Sequence, residues 1–277
     1  MNVLAIAFDV LREARHRRWV VALAIAITLA LLALSLTLRM DVVDGALAST
    51  RLFGRIVVGN HQSPEVVLHP VFRVAAYLIF YGGLLFGLVG CSDFAPSLLS
   101  PGRIEPMLAL PIRRWELLAG TFLGVLCISI ASALYGAGGL TIVLGAKTGI
   151  WSLRPIAAAA LAAFAFAPVY AVMLLTALFV RSAALSAAFG GALFIGGVVS
   201  SHRAVLAPLF QNGWGRSSFE AVTFLLPRFS SFAEASADFA SSAAGDPVAL
   251  GRLLIGFSLF TTGLLAVAAW RFEQRDF

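Results

Sequence analysis

Between Trp19 and Leu38 the chain runs for 20 residues without a charge. A helix needs about 20 mostly apolar residues to cross the hydrocarbon core of a bilayer. Five more runs of comparable character follow, at about 71–91, 117–144, 155–180, 183–200 and 250–270. In lipid each backbone N–H and C=O must find its partner within the protein, so a set of such runs can fold only as a bundle of helices. The expected fold class is an all-α integral membrane protein with six transmembrane helices, forming one domain over 1–277.

Composition agrees. Only 12% of the 277 residues are charged and 60% are hydrophobic, against about 25% charged in soluble domains. The net charge of +6 does not point to nucleic acid, because the arginines cluster at the ends of the apolar runs. Of the 20 basic residues only Lys147 is not Arg. Cys91 and Cys127 both lie in apolar runs and form no motif, so packed core residues are the expectation.

Before the first span, Leu4, Phe8 and Leu11 recur at helical spacing opposite Asp9, Arg12, Glu13 and Arg15. This predicts an amphipathic helix within 1–18 lying in the membrane interface. Arg12, Arg15, Arg17 and Arg18 precede the first span, and no small-residue cleavage site follows it, so a cleavable signal peptide is not expected. Against those four arginines stands a lone Arg39 just after the span. The positive-inside rule then puts both termini and the 93–116 loop in the cytoplasm.

Three loops separate these runs with real polarity. Residues 39–70 are mixed, with one short amphipathic helix expected near 46–58. Residues 201–249 form a broken outer loop, with short helices expected at 219–226 and 229–239. Arg181-Ser182 makes a very tight turn, and Pro168 is expected to kink the fourth span. Gly83-x-x-x-Gly87 and Gly120-x-x-x-Gly124 have the spacing that lets helices approach closely.

Little chemistry is visible. No acidic residue falls in the interior of a span, which argues against ion-driven carriers and carboxylate-ringed channels. H-E-x-x-H and G-x-S-x-G are absent. Near Lys147-Thr148, Thr141 and Ala146 stand where a phosphate-cradling loop needs glycine. His61, His69 and His202 fall on the expected outer side without metal-ligand spacing. No catalytic group, cofactor or metal is expected in this chain.

The densest charge between two spans lies in 92–124, where Arg103, Glu105, Arg113, Arg114 and Glu116 are set among apolar residues and cut by Pro101, Pro106 and Pro111. Read from the residues alone, these charges are either a solvated positive flank or a docking element. The stretch Gly102-Arg-Ile-Glu105-Pro-Met-Leu108-Ala-Leu110-Pro111-Ile-Arg-Arg114, followed by Gly120-Thr-Phe-Leu-Gly124, resembles the permease subunits of type-2 ABC exporters. Their pattern is an acidic cluster, then G-T-L-E-L-L-L-S-L-P-V-S-R and G-K-x-x-G. Gly102, Glu105, Leu108, Leu110, Pro111, Arg114, Gly120 and Gly124 match in register, and the six-span layout is similar over nearly the whole chain. Arg103 and Thr121 replace the Thr and Lys, and Leu98-Leu99-Ser100-Pro101 replaces the acidic cluster. Length and layout are most similar to the branch containing permeases for nitrous-oxide-reductase and other copper-enzyme maturation.

The resemblance implies a homodimeric permease in a bacterial inner membrane, bound to two copies of a separate ATPase that holds ATP and Mg. It implies that the 93–116 loop carries a coupling helix, with Gly102, Arg103, Glu105, Pro111, Arg113, Arg114, Trp115 and Glu116 at the ATPase contact. Arg181 or the N-terminal helix would make a second contact. The alternative is a membrane anchor or assembly factor that holds an extracytoplasmic partner through 201–249. A membrane-embedded enzyme is the third reading.

Overall fold

A computed structural model describes residues 2–43, 46–52, 55–58, 64–100, 102, 104–105, 112–149, 151–210, 213–241 and 246–274. Six helices in it are long and apolar enough to cross a membrane. They are α2 (Arg18–Thr37), α3 (Pro64–Gly90), α5 (Arg114–Thr148), α6 (Arg154–Phe179), α7 (Ala183–Ser201) and α11 (Pro247–Glu273). Shorter helices are α1 (Asn2–His16), α4 (Phe94–Leu98), α8 (Arg203–Leu206), α9 (Trp214–Leu225) and α10 (Phe229–Ser241). The six spans expected from the sequence are therefore present. Most run past their expected ends, because charged residues such as Arg114 and Glu273 continue the helical ladder beyond the apolar window.

The segment after α2 departs from expectation. The short helix near 46–58 is not formed there. Leu38–Val43, Ala46–Leu52 and Arg55–Val58 instead make a small three-stranded antiparallel sheet in the order β1-β2-β3. The β-branched run Ile56-Val57-Val58 favours extended backbone over helix.

Helix α6 is the central post. It packs against α3, α5, α7, α10 and α11, and Phe166, Tyr170, Met173 and Leu174 are all buried along it. Pro168 sits inside this helix, which continues unbroken to Phe179. Pro155 at its first turn costs no backbone bond, since the early N–H groups have no intrahelical partner. Helix α2 is peripheral, and Val21, Ile25, Leu29, Leu32 and Leu36 are more than half exposed along it.

The two glycine pairs behave differently. A Cβ on Gly120 would lie 2.6 Å from the Ile6 Cβ, and one on Gly124 would lie 2.7 Å from the Val10 Cβ. These glycines let α1 lie directly on α5. A Cβ on Gly83 would meet nothing within 4 Å, whereas one on Gly87 would strike the Phe166 ring. Only Gly120 and Gly124 work as a two-residue helix seam.

Helices α9 and α10 form in the 201–249 segment, where short helices are expected. Helix α10 is more than an interfacial helix. Phe229, Phe232, Ala233, Ser236, Ala237 and Ala240 are all buried. Phe232 stands 4.7 Å from Phe257, 6.2 Å from Phe80 and 6.3 Å from Phe164 by ring centroids. The Ser236 hydroxyl donates to the Ala158 carbonyl at 3.1 Å. Helix α10 thus re-enters the bundle and packs on α3, α6 and α7.

Candidate functional site

The polar ends of several helices meet at one end of the bundle. Arg17 lies in the break between α1 and α2. Its guanidinium donates to the Asp93 carboxylate at 2.7 Å, to Glu13 one helical turn back, and to the Ser97 hydroxyl at 3.2 Å. It also sits 4.3 Å above the Phe94 ring, whose edge meets Trp19. Partial burial works against the Arg17 charge, but the bonds to Glu13 and Asp93 outweigh it and raise its pKa. A five-donor planar fork suits this multiple grip.

The turn that receives Arg17 is built locally. The Ser92 hydroxyl donates to the Val89 carbonyl, the Ser97 hydroxyl to Phe94 and the Ser100 hydroxyl to Ser97, so the chain leaves α3 in a series of tight turns. Phe94, Ala95, Leu98 and Leu99 point into the core. The short helix α4 is therefore an internal anchor and not an exposed lever. Beyond it the Ile104 side chain is buried, while Gly102 and Glu105 are exposed. Arg103 and Pro111 lie outside the described residues, as do Pro101 and Pro106.

At the start of α5, Arg113 occupies the cap position with extended backbone, and its amide donates to Glu116 Oε2 at 2.9 Å. That bond satisfies an N–H at the cap, and the Glu116 carboxylate suits the positive end of the helix. The Arg113 side chain is exposed and Trp115 is 42% exposed. Arg114 turns inward. Its Nη1 donates to the carbonyls of Phe272 and Glu273 at 3.3 and 3.2 Å. Those carbonyls lie in the last turn of α11, where the Gln274 amide also donates to Phe272, so Arg114 helps cap a second helix.

Arg181, in the tight turn between α6 and α7, is exposed. The Arg271 guanidinium lies 5.5 Å from the Phe179 ring centre and joins the ends of α11 and α6. On α1, Arg12 and Arg15 are exposed, as is Arg18 at the start of α2, with Arg12 5.9 Å from the Phe8 ring centre. Leu4 and Phe8 are exposed as well, while Ile6, Ala7, Val10 and Ala14 are buried. The helix thus carries two apolar stripes: Leu4 and Phe8 stay on the surface, and a second stripe, Ile6, Ala7, Val10 and Ala14, packs into the bundle.

The structure brings Arg17, Arg114, Trp115, Glu116 and Arg181 to the ends of neighbouring helices, and divides the arginines by role. Arg17 and Arg114 are spent on internal bonds. Arg12, Arg15, Arg18, Arg113 and Arg181 remain exposed. Asp93 and Ser97 were not singled out in the sequence, although a Ser-Asp pair directly after an apolar run is a signal that such residues stop the helix. Among the described residues, no three His, Cys, Asp or Glu side chains come together as a metal-sized group; His61 lies outside the described residues. No protein-family model matches the chain, and no curated protein matches it.

Proposed function

We propose that this six-helix membrane protein is the transmembrane subunit of an ATP-driven exporter, moved by a separate ATPase that docks on the end of the bundle carrying Arg113 and Arg181. The reading rests on the in-register match from Gly102 to Gly124. The observation that carries it furthest is the wiring of the loop that would be pushed. Arg17 ties the Asp93 turn to α1 and α2, and Arg114 ties the start of α5 to the end of α11. A force applied at Gly102, Glu105 or Arg113 would reach four helices through hydrogen bonds from charged guanidiniums, which are the stronger class of hydrogen bond.

Among the described residues, Gly102, Glu105, Arg113, Trp115 and Arg181 are exposed here and accessible to a partner, as are Arg12, Arg15 and Arg18. In the proposed orientation this end is cytoplasmic and the protein sits in a bacterial inner membrane as a homodimer. The ATP and Mg would belong to the partner, and this chain would supply the path.

Tagged full-length protein, purified from its native membrane with whatever assembles on it, should hydrolyse ATP. Arg113→Glu should lower that hydrolysis severalfold while the bundle still folds, because the Arg113 side chain is exposed. Finding no ATPase with the wild-type complex, or full activity in Arg113→Glu and Glu105→Arg together, overturns the reading. A stable complex with an extracytoplasmic protein and no ATPase would favour an assembly factor instead.

A further inference from the structure

The opposite end of the bundle carries a different kind of surface. Two residues past α7 the chain forms α8, then a 3-10 turn over Ala207–Leu209, then α9. Between them lies an open cleft of about 760 Å³ whose lining includes Arg203, Pro208, Arg216, Ser217, Glu220 and Phe224. Arg203 meets no carboxylate among the described residues, and its guanidinium lies 5.8 Å from the Phe224 ring centre. Arg216 Nε donates to Glu220 at 2.8 Å. Arg228, just past α9, has its pKa lowered by burial and by the Arg203 charge, so positive charge is crowded here. The cleft itself holds two guanidiniums, Arg203 and Arg216, against one carboxylate, Glu220, and the Arg228 charge lies close to Arg203.

The rim of the cleft is apolar and bare. Trp214 is 92% exposed, Leu209 77%, Phe224 76% and Leu225 73%. So much exposed apolar surface directly after a spanning helix belongs at the depth where headgroups meet acyl chains, and tryptophan favours that depth. An arginine fork matches the several acceptor oxygens of a phosphate. A small soluble anion would use the arginines and leave the rim in water. A lipid uses both.

We propose that the cleft between α8 and α9 seats the phosphate headgroup of an anionic membrane lipid, held by Arg203, Arg216 and Ser217, with its acyl chains against Phe224 and Leu225. The proposal depends on the bundle standing in a membrane and not on the transport reading.

The test uses full-length protein in vesicles of equal parts phosphatidylcholine and phosphatidylglycerol, with retained lipid counted by native mass spectrometry. The wild type should retain phosphatidylglycerol over phosphatidylcholine. Arg203→Gln and Arg216→Gln should each weaken retention about fivefold, and Arg203→Lys should restore part of it. Arg271→Gln, at the other end of the bundle, should leave retention unchanged. Inorganic phosphate at the same phosphorus concentration should displace none. Equal retention of the two lipids by the wild type overturns the proposal without needing any variant to fold. Unchanged retention in Arg203→Gln, an equal loss in Arg271→Gln, or displacement by inorganic phosphate overturns it as well.

Discussion

Arg17 donates to Asp93 across 2.7 Å although 76 residues separate them in the chain. The Arg17 side chain is 19% exposed and that of Asp93 is 56% exposed. The pair is half in solvent, and its direct coupling should be modest, about 0.5–1 kcal/mol. A double-mutant cycle of Arg17→Gln and Asp93→Asn, read by thermal unfolding in detergent, measures it. Arg17→Gln alone should cost more than Asp93→Asn, because it also loses Glu13, Ser97 and the Phe94 ring. Equal single-mutant effects would mean that those further contacts contribute nothing.

Gly120→Leu and Gly124→Leu should dislodge α1 from α5, since even a Cβ at either site would overlap Ile6 or Val10. Limited proteolysis within α1 should become faster by an order of magnitude or so. Gly83→Leu is the control, because nothing lies within 4 Å of a Cβ there. If Gly83→Leu loosens α1 as much as Gly120→Leu does, the seam has been misidentified.

Helix α10 is held by packing and by several side-chain bonds: Ser236 to the Ala158 carbonyl, Arg73 to Asp238 at 3.3 Å, and the Ser201 hydroxyl, which accepts from the Ser230 and Ser231 amides. Phe232→Ala should cost about 3 kcal/mol by leaving a void among Phe80, Phe164 and Phe257. Ser236→Ala should cost about 1 kcal/mol by orphaning the Ala158 carbonyl. Both are readable as shifts in melting temperature. A neutral Phe232→Ala would place α10 outside the bundle.

Arg113 and Arg114 are adjacent but should respond oppositely. Arg114→Gln should lower stability by about 1 kcal/mol, because it uncaps α11 at Phe272 and Glu273. Arg113→Gln should leave the melting temperature unchanged and act only on the partner. Activity lost through Arg114→Gln is therefore not proof of a docking contact; activity lost through Arg113→Gln at unchanged stability is.

Sidedness is checked with single cysteines in a background lacking Cys91 and Cys127. Cysteine placed at Gly102 should react with an impermeant maleimide only after the cytoplasmic face is opened. Cysteine at Ser217 should react from the outside of intact cells. Labelling of the Gly102 site in intact cells contradicts the proposed orientation.

Much of the architecture could be read from local patterns. A run such as Trp19–Leu38 has one solution in a bilayer, so the six spanning helices and their order follow from hydropathy. Short helices expected at 219–226 and 229–239, from apolar residues between polar breaks, form at 214–225 and 229–241, the first starting a turn earlier than expected. The sheet at 38–58 was not legible, because short mixed segments carry weak helical and strand signals at once. The depth of α10 was also hidden. Its serines look like surface residues until the tertiary structure pairs Ser236 with a carbonyl 78 residues earlier.

The arginines show the division most clearly. Their position at helix ends is a property of the chain alone, because a guanidinium inside a span is too costly to leave unpaired. Which of them is spent within the protein depends on partners from separate segments: a carboxylate on the Asp93 turn for Arg17, and the last carbonyls of α11 for Arg114. The same holds for the glycines: of two identical spacings, one meets a neighbouring helix at both residues and the other only at Gly87. Hydropathy is a local sum and sets what must enter the membrane. Bonding and close approach are pairwise, so only the folded bundle decides them.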